Sequence, residues 1–266
     1  MTLVERSYAH CRYVAKTQAR NFYYSFLLLS KPQRDAMCAI YAFMRYCDDL
    51  SDGPTGASLQ VMQKWREELD AALNGSYGPN PCWPAFHDAV RRYEIPHKYF
   101  HEMIDGVSSD LEPRDIQTFD ELYRYCYQVA SVVGLTITHI FGYESPQALV
   151  LAEKCGIAFQ LTNIIRDVKE DQEKGRSYLP KEDRDRFPDL KNLLAFEALR
   201  AKGYYAESRS LIGMVHPRSR RSLWALIEIY RRLLDRIEQS GYDVMSRRIR
   251  LSGLEKAGIV VRALFH

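Results

Sequence analysis

Gln160-Leu161-Thr162-Asn163-Ile164-Ile165-Arg166-Asp167-Val168-Lys169-Glu170-Asp171 reads as helix from end to end, with no Gly or Pro inside it. Asn163, Asp167 and Asp171 recur every four residues. Each step of four turns a helix by about 400°, so the three side chains stay within roughly 80° of arc and form one oxygen-bearing stripe. Leu161, Ile164, Ile165 and Val168 cover other parts of the helix and can bury it. Two carboxylates and an amide on one face suit a hard divalent cation, Mg²⁺ above all, with Mn²⁺ as the alternative.

Upstream, Asp48-Asp49-Leu50-Ser51-Asp52 ends an apolar helix, Ala36-Met37-Cys38-Ala39-Ile40-Tyr41-Ala42-Phe43-Met44. Acidic residues at a helix C-terminus oppose the macrodipole, so local stability does not explain them. Asp48 and Asp52 are four apart, Asp49 and Asp52 three apart. All three can share a face, where like charges repel by roughly a few tenths of a kcal/mol per pair unless a cation intervenes. A solvated helix end would account for this cluster alone. The second stripe argues for more, because each cluster explains the other: facing pairs would hold cations, and the cations would hold a polyphosphate. Arg45 and Arg166 could each pair with a nearby carboxylate or reach a diphosphate oxygen, a job suited to a planar fork of donors. His97, His101 and Asp105 share the same four-residue spacing and could in principle ligate zinc or iron. No second motif completes such a site, so a helix face is expected there.

The chain has 266 residues, 46% hydrophobic and 27% charged, enough for one large core. Six scattered cysteines (11, 38, 47, 82, 126 and 155) form no C-x-x-C pair. That argues against a zinc ribbon or disulfide framework and suggests a reducing, cytoplasmic setting. The N-terminus lacks the basic start and apolar run of a signal peptide, and no uninterrupted apolar run approaches the roughly 18 residues of a membrane span. The net charge of +3 hides an asymmetry: residues 191–266 hold 15 Lys and Arg against 7 Asp and Glu, the rest 22 against 27. A mostly solvated basic face is expected, with some arginines turned to an anionic membrane surface, as greasy ligands would favour. The arginines match no nucleic-acid-binding motif, so no nucleic-acid partner is expected.

Helical patterns dominate. Helices are expected over 3–18, 32–52, 57–74, 81–93, 96–109, 120–141, 145–173, 190–214 and 218–240, with a short tail, an aromatic connector at 19–30, a stop at Gly53-Pro54 and a loop at Gly175–Pro180. With no repeat or Ser/Gly linker, residues 1–266 read as a single all-α domain.

Arg45-Tyr46-Cys47-Asp48-Asp49-Leu50-Ser51-Asp52 resembles the first aspartate box of the squalene/phytoene synthase family. Gln160 to Asp171, followed by Gly175-Arg176-Ser177-Tyr178-Leu179-Pro180, is similar to its second. Tyr125-Cys126-Tyr127-Gln128-Val129-Ala130-Ser131-Val132-Val133-Gly134 and Asn21-Phe22-Tyr23-Tyr24-Ser25-Phe26 resemble its mid-chain and N-terminal segments. The tail matches more loosely, through Tyr242 and the arginines after it. The resemblance implies an isoprenoid synthase helical bundle with a central cavity. It implies Mg²⁺-dependent head-to-head (1′-1) condensation of two prenyl diphosphates. It places Mg²⁺ on Asp48, Asp49, Asp52, Asn163, Asp167 and Asp171. It places diphosphate on Arg20, Arg45, Arg166 and Tyr242, the reacting carbons near Tyr125, and the prenyl chain along Phe22 and Phe26, with Gln160 and Asn163 also binding substrate. Asp48, Asp52, Asp167, Asp171 and Tyr125 would carry catalysis, and Asp110 matches a further family acid. Ala19-Arg20-Asn21 departs from the small hydroxyl residues common there in the family.

The chemistry suits these residues. Diphosphate leaves an allylic carbon readily only when charge developing on its oxygens is neutralised. The cation left behind needs a dry cavity, and aromatic faces offer it negative quadrupole. Bulky Phe22, Tyr23, Tyr24, Phe26 and Phe159 favour a short pocket, hence farnesyl diphosphate converted to presqualene diphosphate or squalene. Geranylgeranyl diphosphate converted to phytoene is the alternative. NADPH would be needed only if the reaction continued to squalene, and no G-x-G-x-x-G loop is present. A terpene cyclase lacks the Arg45-prefixed box, and a non-catalytic assembly factor would be expected to lose its metal acids.

Overall fold

The computed structural model describes residues 1–19, 22–52, 58–112 and 115–266, with the side chain of Asp52 excepted. Arg20, Asn21 and the Gly53-Pro54 stop lie outside the described residues. Helices run as α1 (Leu3–Gln18), α2 (Phe22–Phe26), α3 (Lys31–Asp52), α4 (Leu59–Leu73), α5 (Trp83–Arg92), α6 (Lys98–Ser108), α7 (Phe119–Cys126), α8 (Val132–Phe141), α9 (Gln147–Glu173), α10 (Lys181–Arg186), α11 (Leu190–Glu207), α12 (Leu211–Met214), α13 (Pro217–Gln239) and α14 (Gly253–Ala263). Among the described residues there is no strand, only the isolated bridges Asp115–Ser177 and Tyr143–Val215. The chain is all-α, as its periodicity requires.

Local signals set the helix ends. Thr2 and Ser252 build capping boxes with Glu5 and Glu255, and Ser58, Thr118 and Asp189 cap α4, α7 and α11. Each satisfies backbone N–H groups that would otherwise be orphaned. One end of the bundle is locked by aromatics: Phe43 of α3 meets Trp65 of α4 at 5.7 Å, Phe86 of α5 at 4.8 Å and Phe100 of α6 at 5.4 Å between ring centroids. Such pairs add about 0.5–1.5 kcal/mol each beyond burial.

α9 packs against α7, α8, α11 and α13. It is the helix, among the described residues, long and apolar enough to cross a membrane, but its apolar side chains are mostly buried inside the bundle. An average over a core helix passes a test that uninterrupted apolar runs do not.

Four elements differ from the sequence expectation, the first being α2, a short helix inside the connector expected at 19–30. The helix expected over 120–141 is interrupted by a π turn, Tyr127–Ser131. Its cause is long-range. A Cβ on Gly156 of α9 would lie 2.5 Å from Ser131 Cα, and one on Gly106 of α6 would lie 2.7 Å from Gln128 Cβ. The widened turn fits only because both neighbours lack side chains, and π turns of this kind gather at functional sites. The helix expected over 190–214 breaks at a tight 3₁₀ turn, Ser208–Ser210, before α12. A short helix, α10, follows Pro180, with Glu182 and Asp183 in its first turn where the dipole favours them.

α10 is clamped to α11 by one guanidinium. Arg200 Nη1 donates to Asp183 Oδ2 (2.8 Å) and Glu197 Oε1 (2.7 Å), and its plane lies 4.0 Å from the Phe119 ring centroid. Two buried carboxylates share one cation. Burial pushes Glu197 up to about 7, with Arg200 pulling the other way.

Two predictions follow from these contacts. Gly156→Ala drives a Cβ into backbone, and overpacking of that kind costs about 1–3 kcal/mol, a fall in Tm of several degrees for a chain this size, read by calorimetry. The raised Glu197 pKa contributes stability that is present below its ordinary 4.5 and lost as pH rises to about 7. Relative to Glu197→Gln, the native protein should lose up to about 1.4 kcal/mol per pH unit across that window in urea unfolding, then level off. Parallel curves for the two proteins would refute the raised Glu197 pKa.

Candidate active site

A cavity of about 600 Å³ runs through the bundle. Its walls come from α2, α3, α6, the π turn, α8, α9, α13 and the segment from Arg248 to Lys256.

Both acidic helix faces reach this one cavity. From α3 come Tyr41, Arg45, Asp48 and Ser51; from α9 come Phe159, Gln160, Asn163, Arg166, Asp167 and Asp171. Asp49 does not line it; it pairs with Arg45 one turn back along the helix and lies on the solvent side. Asp52 lies on α3, but its side chain falls outside the described residues.

Two polar atoms here are buried without a hydrogen-bond partner: Asn163 Oδ1, an acceptor, and Arg45 Nε, a donor. Asn163 Nδ2 is used, donating to Gln160 Oε1 at 3.3 Å. A buried unpaired acceptor costs about 1–3 kcal/mol, so its persistence marks a place kept for a ligand. Asp171 points the same way. Burial, then the charges of Asp167 and Glu170, push it up to about 7, with Lys174 and Arg176 opposing. A cation at the stripe would relieve all three causes, so the residues fit a hard divalent ion. The described residues hold no ready-gathered group of three His, Cys, Asp or Glu side chains for one. Asp167 is engaged by guanidiniums. Arg166 Nε donates to its Oδ1 at 2.8 Å with a second bond to Oδ2, and Arg248 Nε also reaches Oδ1, at 3.0 Å. Burial works against the charge on Arg166, but its bond to Asp167 holds its pKa above the ordinary value.

Behind the acids, Tyr125 and Tyr178 stack at 4.8 Å between centroids and both donate to Asp110, at 3.0 and 2.9 Å. Burial, then the Asp110 charge, hold Tyr125 well above its usual range, so its phenol keeps its proton. Deeper in, Phe159 stacks on Tyr230 at 4.2 Å and Phe22 tilts against the same ring at 5.7 Å. Phe22 and Phe26 line the cavity; Tyr23 and Tyr24 do not. Tyr242 is also absent from the wall. Gly241 and Tyr242 take positive φ (67° and 64°) in the turn that ends α13, leaving the ring packed against the bundle's outer core near Glu238 and Lys202.

Sequence reading missed Glu170, Lys174, Tyr178, Arg248, Arg250 and Lys256 as lining residues. Glu170 and Lys174 sit in or just beyond the opening stretch, and Tyr178 in the loop after it. Arg248 and Arg250 are among the arginines through which the tail loosely resembles the squalene/phytoene synthase family, but nothing local in the tail announces that they, or Lys256, return to the cavity. Of the His97, His101 and Asp105 set, His101 and Asp105 are engaged in ion pairs: Arg66 bonds Asp105 and His101 Nδ1 (3.3 Å), and His101 Nε2 faces Asp70 at 3.3 Å, tying α6 to α4.

A helical bundle whose apolar cavity carries two oxygen-bearing helix faces is an all-α isoprenoid synthase. The sequence profile of the squalene/phytoene synthase family matches residues 15–255. A phytoene synthase from Mycobacterium tuberculosis is 38% identical, covering 99% of this chain and 92% of its own. The 15-cis-phytoene synthase of Synechococcus elongatus is 34% identical over 92% of this chain and 88% of its own. Among solved structures, a dehydrosqualene synthase superposes with a TM-score of 0.90 at 29% identity, covering 98% of this chain and 96% of that one. A squalene synthase from Alicyclobacillus acidocaldarius superposes at 0.83 with 26% identity, covering 90% and 95%. The chain therefore belongs to the squalene/phytoene synthase family and is a prenyltransferase.

Asp48→Ala and Asp167→Ala should each lower product formation by about 100-fold or more while leaving far-UV circular dichroism unchanged. Retained turnover in both would place the reaction elsewhere.

Proposed function

We propose that this protein joins two geranylgeranyl diphosphates head to head, giving phytoene with loss of both diphosphates and two protons. The observation that carries the reading is that Asp48 and the Asn163–Asp171 stripe line a single apolar cavity. The names of the relatives favour the C40 product over the C30 one that bulky aromatics suggested. Of those aromatics, Phe22, Phe26 and Phe159 line the cavity while Tyr23 and Tyr24 do not, so the pocket is less filled by rings than the sequence suggested.

Asp48, Asn163, Asp167 and Asp171, with Asp52 on the same helix as Asp48, would hold Mg²⁺. When bound, it supplies charge neutralisation for the departing diphosphate. Arg45 offers its unpaired Nε to the same oxygens, and Arg166 is held charged beside them. The apolar wall excludes water from the allylic cation. Phe22, Phe159 and Tyr230 present ring faces to it, and Tyr125, its proton committed to Asp110, presents a neutral oxygen. Because phytoene forms by proton loss with no hydride added, this reading requires no NADPH.

The test is product analysis after incubation with labelled geranylgeranyl or farnesyl diphosphate, Mg²⁺, and with or without NADPH. The expected result is a C40 hydrocarbon from geranylgeranyl diphosphate in both cofactor arms. Turnover of farnesyl diphosphate alone would overturn the chain length, and no product from either would overturn the assignment.

A further inference from the structure

Arg248 stands apart from the other basic residues of the tail. It comes from the segment after α13, about eighty positions from α9 in sequence, yet it bridges two carboxylates one turn apart on the oxygen-bearing helix. Its Nε lies 3.0 Å from Asp167 Oδ1 and its Nη1 2.7 Å from Glu170 Oε2. Both are charge-assisted bonds of ordinary strong length. Asp167 Oδ1 thereby receives two guanidiniums, since Arg166 Nε reaches it at 2.8 Å. A divalent ion drawn to Asp167 would meet positive charge on both sides. One guanidinium has to yield, and the two differ in freedom. Arg166 is on α9 itself, adjacent in sequence to its partner, with its side chain 13% exposed. Arg248 is on an irregular segment, 39% exposed, and lines the cavity. Arg250 and Lys256 reach the same cavity from the same stretch of chain. A guanidinium leaving Asp167 therefore stays among cations gathered where a diphosphate would lie.

We infer that Arg248 couples cation binding to diphosphate binding: it occupies Asp167 and Glu170 when the cavity holds neither ligand, and passes to the diphosphate when a cation takes its place. The inference rests on the reading of the Asn163–Asp171 stripe as a cation site. Its consequence is thermodynamic. A cation arriving alone must displace Arg248 with nothing to receive it. A cation arriving with diphosphate displaces it onto a new partner. Each ligand then raises the affinity of the other by the same factor.

The experiment titrates Mn²⁺ into the full chain by calorimetry, with and without saturating inorganic pyrophosphate, for the native protein, Arg248→Gln and Arg250→Gln. Arg250→Gln removes the same charge from the same cavity wall but touches neither carboxylate in an ion pair. For the native protein, pyrophosphate should tighten Mn²⁺ by about tenfold or more, within the usual range of coupling. In Arg248→Gln, Mn²⁺ alone should bind several-fold tighter than to the native protein, and the enhancement by pyrophosphate should shrink. Thermal unfolding run alongside confirms that the variants are folded. Unchanged Mn²⁺ affinity in Arg248→Gln, or equal tightening in both variants, overturns the inference while leaving the cation site standing. Failure of the native protein to take up Mn²⁺ under either condition overturns the cation site itself, and the inference with it.

Discussion

Like charge gathered on one face of α9 is the constraint to which the rest of the molecule answers. Asp167, Glu170 and Asp171 lie on successive turns at the edge of an apolar cavity, where their repulsion is poorly screened. The helix cannot relieve this alone, because its other faces carry Leu161, Ile164, Ile165 and Val168 into the core. Relief comes from guanidinium and ammonium groups: Arg166 within the stretch, Lys174 and Arg176 just beyond it, and Arg248 from the far end of the chain. What remains uncompensated appears as an Asp171 carboxyl pushed up to about 7. The same stripe that makes the helix awkward to fold is where a divalent charge would relieve it.

The apolar half of the cavity obeys a second demand, close approach of helices. Gly106 and Gly156 let α6 and α9 press on the π turn, and that turn carries Val129 and Ala130 into the wall. Chemistry and packing are thus held by different residues of the same helix: oxygen atoms at one end of α9, absent side chains near its middle.

Much of this was legible along the chain. Four-residue spacing placed Asn163, Asp167 and Asp171 on one face, and helix periods located the main helices to within a few residues. What escaped depended on partners far away in sequence. The π turn is imposed by glycines on two other helices, so nothing within 120–141 announces it. His97, His101 and Asp105 have the spacing of the cation stripe, and only Arg66 and Asp70, on another helix, reveal a plain ion-pair cluster. The bulk of Tyr23 and Tyr24 was readable, but not that α2 keeps them out of the cavity wall while Phe22 and Phe26 line it. Tyr242 failed for a local reason, a left-handed turn at Gly241 and Tyr242 that carries the ring outward.

The return of the tail to the cavity has a temporal side. Chains are made from the N-terminus, and early segments begin to fold before late ones exist. Both acidic faces are complete by Asp171, but Arg248, Arg250, Leu251 and Lys256 arrive only at the end, and α14 then packs onto α2 and α13. An unfinished chain thus has the acids without their guanidinium cover, and an apolar chamber with one side open to water. In that state a diphosphate departure would leave its carbocation to be quenched. The segment from Arg248 to Lys256 is thus the last wall to be made, and the chamber is dry only once it is in place.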